Sequence, residues 1–202
     1  MVMTAEQLLK ENQRRIRGVR SNQTKVRKYN MARELSGDYI VLNFETTGLR
    51  PGADRIIQIG AIKYHQYKEI ETYRSLINPR RHIPIEVTRR TKITHFLVED
   101  APFIEDEIGN LLTFIGDLPV VTHNPSIHMN FLYAIEQIEN IQLPALSVID
   151  TARLARKTLS FISNEKLDEL TAYLQSECEW QDVICNCNTI NNIYQFCTKQ
   201  LR

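Results

Sequence analysis

The chain has 202 residues, of which 43% are hydrophobic and 24% are charged, and its formal net charge at pH 7 is +1. These values are typical of one well-buried globular domain with an appendage. No apolar run approaches the roughly 20 residues that a membrane-spanning helix needs, and the first residues lack the apolar core of a secretory signal. We therefore expect a cytoplasmic protein without a membrane partner.

Basic residues are concentrated near the amino terminus. Residues 1–33 carry nine basic and two acidic side chains, which gives a net charge of +7 there and −6 in the remainder. We divide the chain into a basic, helical extension (1–35) and a main domain (36–202). Such an extension can contact nucleic-acid phosphates or an acidic partner, and a solvated tail is the alternative. The candidate phosphate contacts in it are Arg14, Arg15, Arg17 and Arg20.

From residue 38 onward, the sequence alternates between strand and helix patterns. The predicted strands cover residues 38–44, 56–65, 69–77 and 119–122, and the second and third form a hairpin through residues 65–68. The predicted helices cover residues 106–115, 129–138, 165–174 and 178–196. Residues 147–159 indicate a strand end that continues into a helix. The order predicts an α/β fold with a mixed sheet flanked by helices.

Asn43 and Glu45 end the first predicted strand and are followed by Thr46, Thr47 and Gly48. Alternate residues of a strand share one face, so the side chains of Asn43 and Glu45 project together. This stretch resembles the first motif of the DnaQ-like (DEDDh) 3′–5′ exonucleases, in which the run is Asp-x-Glu-Thr-Thr-Gly. The resemblance covers about residues 38–198, and it implies a ribonuclease-H-like fold. At position 43 the family's carboxylate is replaced by an amide.

Two further motifs depart from the family pattern. Residues 123–132, HNPSIHMNFL, resemble His-Asn-x-x-Phe-Asp-x-x-Phe-Leu, and His128 stands where that pattern has a metal-binding Asp. The family's last motif has a His that serves as general base and, five residues later, an Asp that completes the metal site. Alignment of the last helix on Thr189 places Trp180 at the position of that His and Cys185 at the position of that Asp. Glu45 is then the only acid of the family set that this chain retains.

The resemblance implies a two-metal phosphodiesterase of the DNA polymerase III epsilon type, which needs several carboxylates around paired Mg²⁺ or Mn²⁺ ions. Because most of these ligands and the base are missing, we expect a catalytically inactive nucleic-acid-binding protein without a cofactor. One alternative is residual exonuclease activity with Mg²⁺ or Mn²⁺, in which Glu45 acts with Asp182 and His128. A second alternative is a protein-interaction module.

Transition-metal sites are a separate hypothesis. If Asn43, Glu45, His128 and Cys185 converge, the set suits zinc better than magnesium. The four cysteines (Cys178, Cys185, Cys187 and Cys197) lack the paired Cys-x₂₋₄-Cys spacing of a structural zinc site, so we predict free thiols. We expect no resident metal.

Basic residues in the middle of the chain could contact a phosphate backbone beside Thr46, although they are equally typical of exposed loops. Thr91–Thr94 occupies the place of the family's His-Gly-Ile-Thr-like run, so Lys92 replaces a glycine. The expected partner is a single-stranded end of DNA or RNA, or a protein that handles nucleic acid, and the oligomeric state stays open. The basic candidates are Arg80, Arg81, Arg89, Arg90 and Lys92.

Polar residues at two predicted helix starts receive a structural interpretation. We expect His123 and Asn124 to cap and brace the helix that follows them. Asp150 and Thr151 are predicted to cap the next helix.

Overall fold

The computed structural model describes residues 28–159, 167, 170, 172 and 182–201. Within these residues, six strands form one mixed sheet in the order β1-β6-β5-β2-β3-β4. The strands are β1 (Asn30–Met31), β2 (Tyr39–Thr46), β3 (Ile56–His65), β4 (Lys68–Leu76), β5 (Val120–Thr122) and β6 (Ser147–Asp150). The helices are α1 (Ile85–Thr91), α2 (His95–Val98), α3 (Ile104–Ile115), α4 (Pro125–Glu139), α5 (Thr151–Thr158) and α6 (Val183–Leu201).

Strands β2, β3 and β4 form an antiparallel meander. The β3–β4 turn consists of Gln66 and Tyr67, which both adopt left-handed backbone angles, with φ of 48° and 64°. Two left-handed residues give a turn whose twist matches that of the flanking strands. The predicted hairpin is confirmed, and β3 has the predicted bounds.

The other half of the sheet is parallel. β5 pairs with β2 and with β6, and β6 pairs with β1. In such an arrangement the carboxyl ends of β2, β5 and β6 meet at one edge of the sheet, which in α/β proteins is where ligands bind. The α/β fold with a mixed sheet flanked by helices is therefore as predicted.

The alternation of side chains along β2 divides the core into two layers. Ile40, Leu42 and Phe44 pack with α3 and α4 on one face. Tyr39 and Val41 pack with α5 and α6 on the other. Because side chains alternate along a strand, Asn43 and Glu45 continue the second face and point toward α6.

Several bounds differ from the predictions. α4 begins at Pro125 rather than at residue 129, because proline at the first helical position needs no hydrogen-bond partner for its nitrogen. β1 pairs with β6 and lies within the residues assigned to the basic extension. The helix predicted for the start of the extension lies outside the described residues, and so does most of the one over 165–174.

Among the described residues, none of the helices combines the length and the apolar character that a membrane crossing requires.

Candidate active site

Glu45 lies near the carboxyl end of β2 and contacts the first turn of α6. Its Oε1 accepts a hydrogen bond from Asn186 Nδ2 at 3.1 Å. Its Oε2 lies 4.0 Å from Nη2 of Arg90 on α1, and only 15% of the Glu45 side chain is exposed. Burial raises the pKa of Glu45, while Arg90 and the bond from Asn186 act in the opposite direction. Both oxygens of the Glu45 carboxylate therefore have partners: Oε1 the Asn186 amide and Oε2 the Arg90 guanidinium.

Asn43 is 5% exposed and lies opposite Gly60 in the β2–β3 register. A Cβ atom on Gly60 would come within 2.8 Å of both γ-carbons of Val183, so only glycine lets α6 approach β3 this closely. Cys187, which is fully buried, donates its thiol to the Gly60 carbonyl oxygen at 3.3 Å. Burial raises the pKa of that thiol, so it stays protonated beneath Asn43.

Asp182, the residue that could rescue the metal site, is held at the start of α6. Its Oδ1 accepts a hydrogen bond from the backbone N–H of Ile184 at 3.0 Å. Its Oδ2 pairs with Nη1 of Arg74 on β4 at 3.3 Å. With its amide oxygen turned toward Arg74, Gln58 accepts bonds from Nε and Nη2 at 3.1 and 3.2 Å. Asp182 is thus the counter-ion of Arg74, whose side chain also contacts Gln58 on β3.

His128 lies half-buried in the first turns of α4, and its ring faces Phe44 at 5.9 Å between ring centroids. Burial lowers the pKa of His128 to about 4, and the charge of His123 acts in the same direction. The imidazole is therefore neutral at pH 7. Phe44 belongs to the core layer on the opposite face of β2 from the side chains of Asn43 and Glu45.

Cys185 is disulfide-bonded, which corrects the prediction of free thiols for this residue, whereas Cys187 and Cys197 are free and buried as predicted. A sulfur in a disulfide is not a thiolate and does not ligate zinc as the hypothesis required. The part of the chain that the structure describes contains no group of three or more His, Cys, Asp or Glu residues placed to hold a metal ion. Trp180 lies outside the described residues.

The basic candidates fall into two regions. Arg80 pairs with Glu105 and with Glu139, the latter at 3.6 Å, and its guanidinium lies 3.7 Å from the Phe103 ring centroid. Arg81 pairs with Asp54 at 3.6 Å. Both arginines line a cavity of about 590 Å³ between the starts of β3 and α3 and the second half of α4.

The second basic region is the end of α1, where Arg89 and Arg90 form the last turn. Lys92 follows with a left-handed backbone, φ 60°, and donates its N–H to the carbonyl oxygen of Thr88. The lysine thus adopts the backbone angles for which glycine is favoured. Thr46 is buried and donates its hydroxyl to the carbonyl oxygen of Gly48 at 2.6 Å, within the turn after β2. Arg14, Arg15, Arg17 and Arg20 lie outside the described residues.

The predicted structural residues form a compact group at the ends of β5 and β6. His123 Nδ1 lies 2.9 Å from Thr151 Oγ1, and both residues are buried. Asp150 Oδ1 accepts a hydrogen bond from the N–H of Ala152 at 2.9 Å and caps α5 as predicted. Asn124 differs from the prediction, since it starts α4 through a left-handed backbone without a side-chain cap bond.

Sequence reasoning missed Asn186, Gln58 and Arg74. Asn186 follows the aligned position of Cys185 by one residue, and only the rotation of α6 decides which of the two faces Glu45. Gln58 opposes Glu45 in the strand register, a relation that follows once the β2–β3 pairing is fixed. The polarity of Gln58 in a largely apolar strand was the available signal.

An exonuclease family model, RNase T, matches residues 40–179, so the chain belongs to this exonuclease family. A relative is the PolC-type DNA polymerase III of Caldanaerobacter subterraneus subsp. tengcongensis, which is 32% identical over 141 residues. That match covers 70% of this chain and 10% of the polymerase, so the chain spans about a tenth of that relative's length.

Solved structures agree on the fold. The nuclease domain of 3′hExo, a DEDDh family member bound to rAMP, superposes with a TM-score of 0.71 at 15% identity, over 83% of this chain and 95% of that one. Exonuclease X in complex with 5′ overhanging duplex DNA superposes with a TM-score of 0.59 at 22% identity, over 77% and 89% of the two chains. The protein is thus a DnaQ-like exonuclease domain with a ribonuclease-H-like fold.

Proposed function

We propose that this domain is a pseudoenzyme that binds single-stranded nucleic-acid ends and does not hydrolyse them. The observation that carries the proposal is that Glu45, the retained family acid, and Asp182, its candidate partner in a residual metal site, each pair with an arginine. Two-metal hydrolysis needs free anionic oxygens around both cations. An arginine beside each carboxylate supplies a positive charge that repels a divalent cation.

Other observations support binding as the remaining function. The matched relative is a DNA polymerase, and Exonuclease X is in complex with DNA. The positively charged end of α1 lies beside Glu45 through Arg90, and the first 33 residues carry a net charge of +7. Cations of this kind attract a phosphate backbone without base specificity. A cytoplasmic location, and a partner that handles nucleic acid, belong to the same proposal.

A nuclease assay tests the loss of hydrolysis. A 5′-labelled single strand, as DNA and as RNA, is incubated with Mg²⁺ and then Mn²⁺, beside a Glu45→Ala variant prepared identically. We expect no shortening above the variant's background. Degradation that disappears in Glu45→Ala would contradict the proposal and favour the residual exonuclease that uses Glu45 with Asp182 and His128.

A binding assay tests the remaining half of the proposal. Fluorescence anisotropy with the same strands in EDTA is expected to show binding that weakens as salt rises. Replacement of Arg14, Arg15, Arg17 and Arg20 by glutamine should lower the salt dependence by up to about 0.7 per lost phosphate contact. Absence of binding at low salt would favour the protein-interaction module instead.

A further inference from the structure

We propose that Arg90 takes the role of a bound metal ion, so that the surface beside Glu45 holds a phosphodiester of single-stranded nucleic acid directly on the Arg90 guanidinium without a divalent cation. This inference rests on the proposed function and names the contact through which binding occurs. In a metal site, buried carboxylates hold a cation that faces the phosphate. Here Glu45 is the buried carboxylate, and the exposed cation next to it is Arg90.

The distance between the two side chains leaves Arg90 available to a second anion. Arg90 Nη2 lies 4.0 Å from Glu45 Oε2, which is an ion pair but longer than a hydrogen bond. The Arg90 side chain is 58% exposed, whereas that of Glu45 is 15% exposed. A guanidinium in this position keeps its N–H donors toward solvent, and its planar fork matches the oxygens of a phosphate.

Glu45 is held by contacts other than the one to Arg90, so its position does not depend on Arg90. Asn186 donates to Glu45 Oε1 at 3.1 Å from the first turn of α6. That turn is packed directly on Gly60 of β3 through Val183. The carboxylate is therefore held in place by the sheet and α6, and its negative charge competes with a phosphate for Arg90.

Arg74, the arginine that pairs with Asp182, does not offer the same contact. Its Nη1 lies 3.3 Å from Asp182, close enough for a hydrogen bond, and Gln58 accepts from its Nε and Nη2. Asp182 neutralises its charge, and the two partners together accept from three of its five N–H donors. The backbone after Arg90 instead brings a second cation, because Lys92 is exposed two residues later at the end of α1. A phosphate is thus expected at the end of α1, between Arg90 and Lys92.

The test is oligonucleotide affinity in EDTA for Arg90→Gln and Glu45→Gln, measured by fluorescence anisotropy with short oligothymidylate and oligouridylate. Arg90→Gln should weaken binding about tenfold and reduce the salt dependence by about 0.7. Glu45→Gln should tighten binding roughly threefold, because it removes the competing negative charge and keeps the shape. The same titrations are repeated with Mg²⁺ in place of EDTA, where a metal-dependent site predicts that Glu45→Gln weakens binding.

Charge-matched controls lie at the β3–β4 hairpin, seven residues along β3 from the partner of Glu45 and roughly 23 Å away. Lys68→Gln removes one positive charge there, and Glu69→Gln removes one negative charge. Neither should change the affinity more than about twofold. Circular dichroism and the melting temperature show that each variant is folded.

The outcomes separate this inference from the proposed function. Binding by the wild-type protein that is unchanged in Arg90→Gln and Glu45→Gln overturns the role of Arg90 and leaves the binding function standing. Binding that requires Mg²⁺ and is lost in Glu45→Gln also overturns it, in favour of a metal site. A wild-type protein that binds neither strand at low salt overturns both proposals.

Discussion

Two polar groups of residues lie at the same edge of the sheet and differ in what their contacts achieve. At the ends of β5 and β6, His123, Thr151 and Asp150 form short hydrogen bonds that fix the start of α5. At the end of β2, Glu45 is held by one hydrogen bond and one longer ion pair, and a half-exposed arginine covers it. The first group stabilises the fold, and the second leaves a cation accessible.

The largest effect is expected from Gly60→Ala. This change disturbs the packing of α6 on β3, and α6 carries the Asn186 side chain that holds Glu45 at the end of β2. The new methyl would meet Val183 side-chain atoms at 2.7 and 2.8 Å and its backbone at 3.2 Å. Overpacking of this kind should destabilise the protein by about 1–3 kcal/mol, measured by urea unfolding. Gly109→Ala on α3 is the matched control. No atom lies within 4 Å of a Cβ there, so stability should be unchanged or rise by up to about 1 kcal/mol.

The group at β5 and β6 is tested by Thr151→Val, which keeps the shape and removes the hydroxyl beside His123 Nδ1. The loss of a buried polar contact should cost about 1–2 kcal/mol in the free energy of unfolding. Oligonucleotide affinity should not change, because the Thr151 hydroxyl is buried against His123 and is not exposed to a phosphate. Thr113→Val on the exposed face of α3 is the control, with an expected change within about 0.5 kcal/mol. A large loss of affinity in folded Thr151→Val would contradict the division between the two groups.

The smallest effect concerns how Glu45 makes the stability of the protein depend on pH. Burial raises the pKa of Glu45 in the folded state above its unfolded value. The protonated form is therefore favoured by folding, and this stabilisation is lost as pH rises through the folded pKa. Glu45→Gln should match the wild type at acid pH and be more stable, by less than about 1 kcal/mol, at neutral pH. Thermal unfolding from pH 4 to pH 8 measures the difference, and a variant that is less stable than the wild type at pH 7 would contradict the sign.

Local sequence patterns were sufficient where the neighbours are close along the chain. The β3–β4 hairpin was predicted from two strand patterns joined by a short turn, and Asp150 caps α5 because the acceptor and donor are two residues apart. The bond from Asn186 to Glu45 joins positions 141 residues apart and depends on how α6 is rotated. The pairing of Asp182 with Arg74 spans 108 residues and depends on the register of β4. Residue types therefore led to the prediction of a changed metal site, while the partners of Glu45 and Asp182 required the packed structure.

The position of β1 has a consequence for the order in which the domain folds. β2, β3 and β4 pair with their neighbours in sequence, and contacts of this kind form early because little chain must be closed. β1 pairs only with β6 in the described sheet, so Asn30 meets Ser147 across more than half of the chain. We therefore expect the strand nearest the amino terminus to join the sheet last. At this edge, assembly would run in the reverse order of synthesis on the ribosome.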